Sequence, residues 1–270
     1  MTNESKTLFI PLYGKAAMSR EGIFKDKTAE RIVEQLPQEM AHVDTSRRLA
    51  IFMAMRAALY DDAVLHSVAE DLTMPRIIVH LGCGLDSRCE RVGSKAKCWY
   101  DVDFPEVIAV RRQFYQESAH YRMLASSITD VSWMDAIDYH GEAMLFLMEG
   151  VSMYLSFSDM QSLMQEISRK FGFCDFLFDA YTTFGAKCSM LKNPVNKVGA
   201  KIDFAMDDPR ILETPQIVFS SEWDMVNQKI VAILPKSDQR KFAVMGRLYK
   251  KFYRMFHYTI NPDAEIVQAP

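Results

Sequence analysis

Residues 76–88, RIIVHLGCGLDSR, constrain the fold of this chain more than any other stretch. The run Ile77–Leu81 is apolar and rich in β-branched residues, and Pro75 stands just before it. Those are the marks of a buried strand rather than a helix. Gly82-Cys83-Gly84 follows at once. Glycine tolerates positive φ and carries no Cβ, so the backbone can turn tightly there and lie against a ligand. Asp86 and Ser87 then stand where a helix is expected to begin. A strand, a glycine turn and a helix start describe the nucleotide-binding corner of an open α/β sheet. The third glycine of a dinucleotide fingerprint is absent, with Ser87 in its place. The turn alone therefore leaves open S-adenosylmethionine, a nicotinamide cofactor, or a plain structural corner.

About 20 residues on, at the spacing where such sites carry an acid, residues 97–103 (KCWYDVD) read as a second strand. Asp101 and Asp103 share one face of it. An acid at this strand tip accepts hydrogen bonds from ribose hydroxyls. A third strand is expected at 121–125, followed by the polar loop Ser126-Ser127-Ile128-Thr129-Asp130. Residues 143–148 (AMLFLM) form a clear fourth strand, closed by Glu149 and Gly150. A carboxylate at the carboxyl end of a buried strand sits in the ligand crevice and is costly to desolvate without a cation.

The remaining pattern alternates strand and helix. Helices are expected at 27–36, at 45–60 with Thr45 or Ser46 as cap, and at 61–72. They would lie over the sheet edge as a lid. Further helices are expected at 104–117, 157–171 (capped by Ser156 or Ser158), 224–234 and 237–254 (Ser237 or Asp238 as cap). Strands are expected at 175–180, 217–220 and 256–260. Residues 184–214 read as an irregular insertion on the substrate side. This alternation predicts a mostly parallel sheet covered on both faces. The expected organisation is one domain: a helical N-terminal lid (1–75), a cofactor-binding core (76–183), the insertion (184–214) and the end of the sheet (215–270).

Composition narrows the function classes. With 270 residues, 49% hydrophobic, the chain can bury a sizeable core. A net charge of −3 offers no basic excess for a phosphate backbone, so no nucleic-acid partner is expected. No apolar run approaches a membrane span and the start lacks a signal-peptide pattern, so a cytoplasmic location is expected. The five cysteines, at 83, 89, 98, 174 and 188, are odd in number and form no CxxC pair. They are expected to be reduced, with no metal site. The 18 methionines are expected mainly to fill the core. A second possibility is an adjustable pocket around Met53, Met55, Met153, Met190 and Met206.

Together, LGCGLDSR, WYDVDFPEVIAVRR and MEGVSMYL resemble the leucine carboxyl methyltransferase family, and within it the bacterial polyketide O-methyltransferase branch. The resemblance implies a Rossmann-like class I methyltransferase fold, with seven strands and an antiparallel last strand, that uses S-adenosyl-L-methionine and releases S-adenosyl-L-homocysteine. By position it implies Gly82 and Gly84 at the turn, Asp103 at the ribose, Ser127 and Ile128 beside the adenine, and Glu149 at the methionine part. Where relatives carry an Asp beside the adenine, this chain has Ser127. Lys15 and Arg56 match cations that would face the cofactor's carboxylate. Tyr154 and Tyr13 are the candidates for contact with the acceptor.

The expected reaction is O-methylation of a carboxylate or phenol of a small molecule. The alternatives are methylation of a protein's C-terminal carboxylate and a non-catalytic cofactor-binding scaffold. A nicotinamide dehydrogenase fits the turn but not the missing glycine. No catalytic base is assigned. His80 and His257 are expected as packed strand residues. The sequence names neither the acceptor nor the oligomeric state.

Overall fold

The computed structural model describes residues 8–36, 46–69, 76–192 and 202–265. In chain order its main elements are α1 (Phe9–Arg20), α2 (Lys27–Gln35), α3 (Arg47–Ala69), β1 (Ile77–Leu81), α4 (Arg88–Val92), β2 (Cys98–Asp103), α5 (Pro105–Arg111), β3 (Tyr121–Ala125), β4 (Met144–Met148), α6 (Phe157–Lys170), β5 (Cys174–Tyr181), α7 (Thr183–Lys192), β6 (Ile217–Asp224), α8 (Gln228–Ile233), α9 (Lys236–Tyr249) and β7 (Tyr253–Ile260).

The seven strands form one sheet in the order β3-β2-β1-β4-β5-β7-β6. β1 pairs in parallel with β2 and β4, and β7 is antiparallel to both β5 and β6. This is the seven-stranded, mostly parallel sheet expected. β1 and β4 are buried along their whole length. Their side chains alternate between two cores, as the pleat requires. Ile77, Val79 and Leu81 join Met144, Phe146 and Met148 on the face covered by Met160, Leu163 and Ile167 of α6. Ile78, Leu145 and Leu147 face the opposite layer, with Leu12 of α1, Ile32 of α2 and Tyr60 of α3. The Tyr60 hydroxyl donates to Met148 O at 3.1 Å and so pins α3 to the carboxyl end of β4.

Several expected boundaries move. Residues 9–20 form α1, which the sequence pattern did not show. The helices expected at 45–60 and 61–72 are one continuous helix, α3; Ser46 Oγ accepts from Leu49 N at 3.3 Å, whereas Thr45 lies outside the described residues. The helix expected over 104–117 ends at Arg111. The insertion expected to be irregular opens with helix α7. The helix expected to run to Arg254 stops at Tyr249, because residues from Tyr253 onward are taken into the sheet by β5. Neither Ser237 nor Asp238 caps it: Pro235 holds the N-cap position, and Asp238 instead pairs with Arg47 at 2.9 Å. Ser156 caps α6 with a full capping box through Asp159, as expected for that helix. No described helix is long and apolar enough to cross a membrane.

Candidate active site

β1 ends where β2 delivers its acid, and the two are tied together. Gly82 N donates to Val102 O at 2.8 Å, and Gly84 N donates to Asp103 Oδ2 at 2.7 Å. Phe104 N donates to Asp103 Oδ1 at 2.8 Å. Gly82 has φ +65°, and a Cβ there would come within 2.4 Å of Val151 Cγ2. Only glycine therefore lets this turn lie against the loop that follows β4. Burial pushes the Asp103 carboxyl above its ordinary value, against the two backbone donors. The neighbouring Asp101 faces inward. It accepts from Trp99 Nε1 at 2.8 Å and from the Tyr121 hydroxyl at 2.6 Å, and it pairs with Arg111. Of the two acids on this strand, Asp103 is the one that lines the cavity.

That cavity, of about 470 Å³, opens at the carboxyl edge of β1, β2 and β4. Its size is ordinary for a small-molecule site. Lys15, Arg56, Gly82, Gly84, Asp103, Ser127, Ile128, Glu149 and Tyr154 all line it. Elements far apart in sequence thus bring together nine of the ten residues singled out above. Tyr13 is the exception: it is half-buried and packs in the core between the N-terminal helices and the sheet. Its helix turns Lys15 and Leu12 towards the cavity instead. Met53 and Met153 line the cavity, while Met55 packs with Met18 and Met206 is buried in the core under α6. The side chain of Met190 lies outside the described residues.

The charges in the wall form a network that the sequence did not reveal. Lys15 Nζ lies 2.9 Å from Asp86 Oδ1, and Arg56 Nε lies 2.9 Å from Glu149 Oε1. Arg88, fully buried, joins the two pairs by contacting Glu149, Asp86 (3.1 Å) and Asp61 of α3 (2.8 Å). Arg91 adds Asp61, Asp86 and Asp26. Asp86 and Ser87 stand at the start of α4 as expected, with Ser87 in the N-cap position, but Ser87 makes no capping bond and donates to Asp26 at 2.6 Å.

Burial by itself would raise the Glu149 carboxyl, but Arg88 and Arg56 outweigh it and hold the group down to about 2. Arg88, Arg91 and Lys15 likewise hold Asp86 well below the carboxylate range against the effect of burial. Lys15 and Arg56 are thus ion-paired to carboxylates while they line the cavity. Any carboxylate bound there would share them.

Four further residues belong to this picture. Asp86, Arg88 and Asp179 hold the ionic network, and Tyr253 lines the cavity. Asp179 lies near the carboxyl end of a buried strand, as Glu149 follows one, and that shared signal could have found it. His80 is 2% exposed, between Arg88 (3.3 Å) and Asp101 (3.6 Å), as expected for a packed strand residue. His257, expected to be similar, is instead half-buried at the outer part of the sheet, 2.7 Å from Asp175 and stacked on Trp223. The five cysteines are free, and no described cluster could hold a metal.

The donor set fits a cationic nucleoside. Asp103 offers a carboxylate beside a glycine backbone that leaves room for a ligand. Among the residues that line the cavity, the acids Asp86, Asp103, Glu149 and Asp159 outnumber the cations Lys15 and Arg56, which favours a ligand of net positive charge.

The sequence pattern of the leucine carboxyl methyltransferase family matches residues 11–168, more than half of the chain. The chain belongs to that family. The tetracenomycin polyketide synthesis O-methyltransferase TcmP of Streptomyces glaucescens is 27% identical over 237 residues, spanning 86% of this chain and 87% of that protein. The S-adenosyl-L-methionine-dependent methyltransferase dpfgK of Gibberella zeae is 28% identical over 240 residues, spanning 79% of each. Among solved structures, magnesium protoporphyrin IX methyltransferase ChlM of Synechocystis, crystallised with S-adenosylhomocysteine, superposes with a TM-score of 0.51 at 10% identity, over 91% of this chain and 97% of that one. That likeness shows the fold. This leucine carboxyl methyltransferase family member is an S-adenosylmethionine-dependent methyltransferase with the Rossmann-like class I architecture.

Proposed function

We propose that this enzyme methylates an oxygen, a carboxylate or a phenol, of a small molecule. The observation that carries the reading is the wall beyond Glu149. Leu8, Leu49, Phe52, Met53 and Met153 make it apolar, and it is supplied mainly from the helices that cover the sheet edge. A cavity roofed in this way suits a compact apolar acceptor. The polyketide O-methyltransferase among the relatives supports oxygen as the methylated atom.

S-adenosylmethionine supplies a methyl group already activated by its sulfonium. The residues of this chain do the rest. Asp103 would hold the ribose hydroxyls, and Gly82 and Gly84 keep the backbone close and unobstructed. Ser127 and Ile128 would flank the adenine. Lys15 and Arg56, shared with Asp86 and Glu149, would hold the amino-acid end; Arg56, a planar fork of donors, suits a carboxylate best. The roof from α1 and α3 excludes water and keeps the acceptor oxygen in line with the methyl carbon. Such positioning can lower a barrier by several kcal/mol. We propose that α1 and α3, from the N-terminal part of the chain, act as this lid.

Labelled S-adenosylmethionine offered with a panel of aromatic phenols, aromatic acids and peptides with free C-termini tests the reading. Label in a small-molecule ether or ester supports it. Label confined to the peptides would replace it with protein carboxyl methylation.

A further inference from the structure

The cavity has two chemically different ends. Lys15 of α1, Arg56 of α3 and Glu149 after β4 make one of them charged. Asp103 stands at the tip of β2, and the loop after β3, residues 126–129, lines the cavity beyond it. The strand order β3-β2-β1-β4 sets that loop on the side of Asp103 away from Glu149. A nucleoside whose amino-acid end meets Lys15, Arg56 and Glu149, with its ribose on Asp103, therefore lays its base against the loop. Phe104, Ile128 and Leu155 line the cavity and supply apolar surface for the faces of such a ring. Ile128 and Leu155 share one core with Met160 of α6, and α6 packs on the short turn Val131–Ala136 that follows the loop. The start of α6 thus closes this end of the cavity.

The edge of a base needs directed hydrogen-bond partners. Ser126, Ser127, Thr129 and Asp159 are the polar side chains that line the cavity here. The loop spends its hydroxyls on itself. Ser127 Oγ bonds Thr129 Oγ1 at 2.8 Å and accepts from Thr129 N at 3.3 Å. Ser126 Oγ donates to Ser127 O at 3.1 Å and lies 3.4 Å from Asp130 O. Asp159, in the first turn of α6, differs from these. Its Oδ2 accepts from Ser156 N at 2.9 Å, one half of the capping box, and from the Ser156 hydroxyl at 2.6 Å. Among the described residues no donor takes Oδ1. The bonds from Ser156 hold the carboxyl below its ordinary value, so at neutral pH it is ionised and can only accept.

We propose that Asp159 reads the base: its second oxygen accepts the exocyclic amine of adenine and so selects an adenosyl cofactor over its 6-oxo counterpart. This rests on the ribose lying at Asp103, and it holds whichever acceptor the enzyme methylates.

The amine of adenine is a donor and a carboxylate is an acceptor, so the two match. In the 6-oxo base an acceptor oxygen takes the place of the amine, and the hydrogen sits on the ring nitrogen instead. The carboxylate then meets a lone pair on a base of nearly the same size and shape. A hydroxyl both donates and accepts, so Ser127 would read amine and carbonyl alike. A carboxylate cannot, and a hydrogen bond to a charged group is about twice as strong as one between neutral groups. The capping box serves the same end. It fixes the Asp159 carboxyl through one oxygen and leaves the other for the ligand. Asp159 is therefore a binding and specificity residue, with no part in the methyl transfer itself.

The test is titration calorimetry of the cofactor-free enzyme with S-adenosylhomocysteine and with S-inosylhomocysteine, its 6-oxo counterpart. It compares the wild type with Asp159→Asn, Ser127→Ala and Asp103→Asn, and the unfolding midpoint without ligand reports that each is folded. The wild type should bind the adenosyl ligand roughly 10- to 100-fold more tightly, the range of a hydrogen bond to a charged group. Asp159→Asn keeps a carbonyl oxygen for Ser156 N and offers an amide that can accept or donate, so the ratio between the two ligands should fall towards one. Ser127→Ala should keep the wild-type ratio. Asp103→Asn should weaken both ligands alike and keep the ratio as well.

A wild type that binds the two ligands equally overturns the inference, whatever the variants do. So does a wild-type ratio that persists in Asp159→Asn, or one that collapses in Ser127→Ala instead. In those cases, weaker binding of both ligands by Asp103→Asn leaves the ribose assignment standing. Unchanged binding of both ligands by Asp103→Asn overturns the ribose assignment and the inference with it.

Discussion

Glu149→Gln removes the charge that Arg56 and Arg88 share while keeping the side-chain volume. Glu149 is 6% exposed, and the two guanidiniums hold its carboxyl at about 2 instead of 4.5. At about 1.4 kcal/mol per unit, that displacement corresponds to about 3 kcal/mol of stability. The unfolded chain keeps the ordinary value, so the contribution is complete above about pH 4.5 and is lost as pH falls towards 2. Truncating one partner of a buried pair costs about 3–5 kcal/mol. Gln can still accept one hydrogen bond, which places the expected loss at the lower end. In a chain of this size about 3 kcal/mol lowers the unfolding midpoint by roughly 6–12 °C. The assay is thermal and urea unfolding of cofactor-free wild type and variant at neutral pH and near pH 3. The wild type should lead clearly at neutral pH, and the gap should close to about half near pH 3. Equal midpoints at neutral pH, or a gap that does not shrink on acidification, would refute this account of the network.

Gly82→Ala places a Cβ 2.4 Å from Val151 Cγ2 at φ +65° and should weaken S-adenosylhomocysteine binding by at least about tenfold in titration calorimetry, since an L residue in that conformation already costs about 1–2 kcal/mol. Asp103→Asn removes a charged acceptor and should weaken the same binding by roughly 10- to 100-fold, the range of hydrogen bonds to charged groups. S-adenosylhomocysteine at about a hundred times its Kd should stabilise the wild type by about 2.7 kcal/mol, visible as a midpoint rise. Asp179 has the opposite sign to Glu149. Its folded form holds a proton between about 3.8 and 6 that the unfolded chain releases, so it makes stability fall as pH rises through that window; Asp179→Asn should abolish that fall in urea midpoints.

The sheet was legible because its signals are local. Ile77–Leu81 and the apolar run before Glu149 are buried on both faces, and such strands advertise themselves as continuous apolar runs. The glycine turn and Asp103 were legible for the same reason. α1 was not: FIPLYGKAAMSR carries Pro11 and Gly14, is buried on several sides and shows no amphipathic period. Its Gly14 fits against α3, where a Cβ would lie 3.1 Å from Met53 and 3.3 Å from the Ala50 backbone. Asp61 and Asp62 read as a helix start inside α3, yet Asp61 serves Arg88 and Arg91. Arg88 sat in plain view in the LGCGLDSR motif, but its role depends on partners 27 and 61 residues away in sequence. Tyr253 was absorbed into a helix because the basic pattern of α9 continues through Arg254. Pairing with β5 overrides that local preference.

The placement of β7 dictates an order of assembly. β6 is the earlier of the two in the chain, yet its strand pairing is with β7, so it cannot join the sheet until β7 has docked on β5. That docking brings Tyr253 back to Tyr181 across the whole intervening stretch, a closure of high entropic cost compared with the parallel neighbours β1 and β2. The glycine turn and Asp103 need only the early half of the sheet. Tyr253 arrives with this more distant closure, so the cavity wall built by the glycine turn and Asp103 can take shape before the wall that Tyr253 lines.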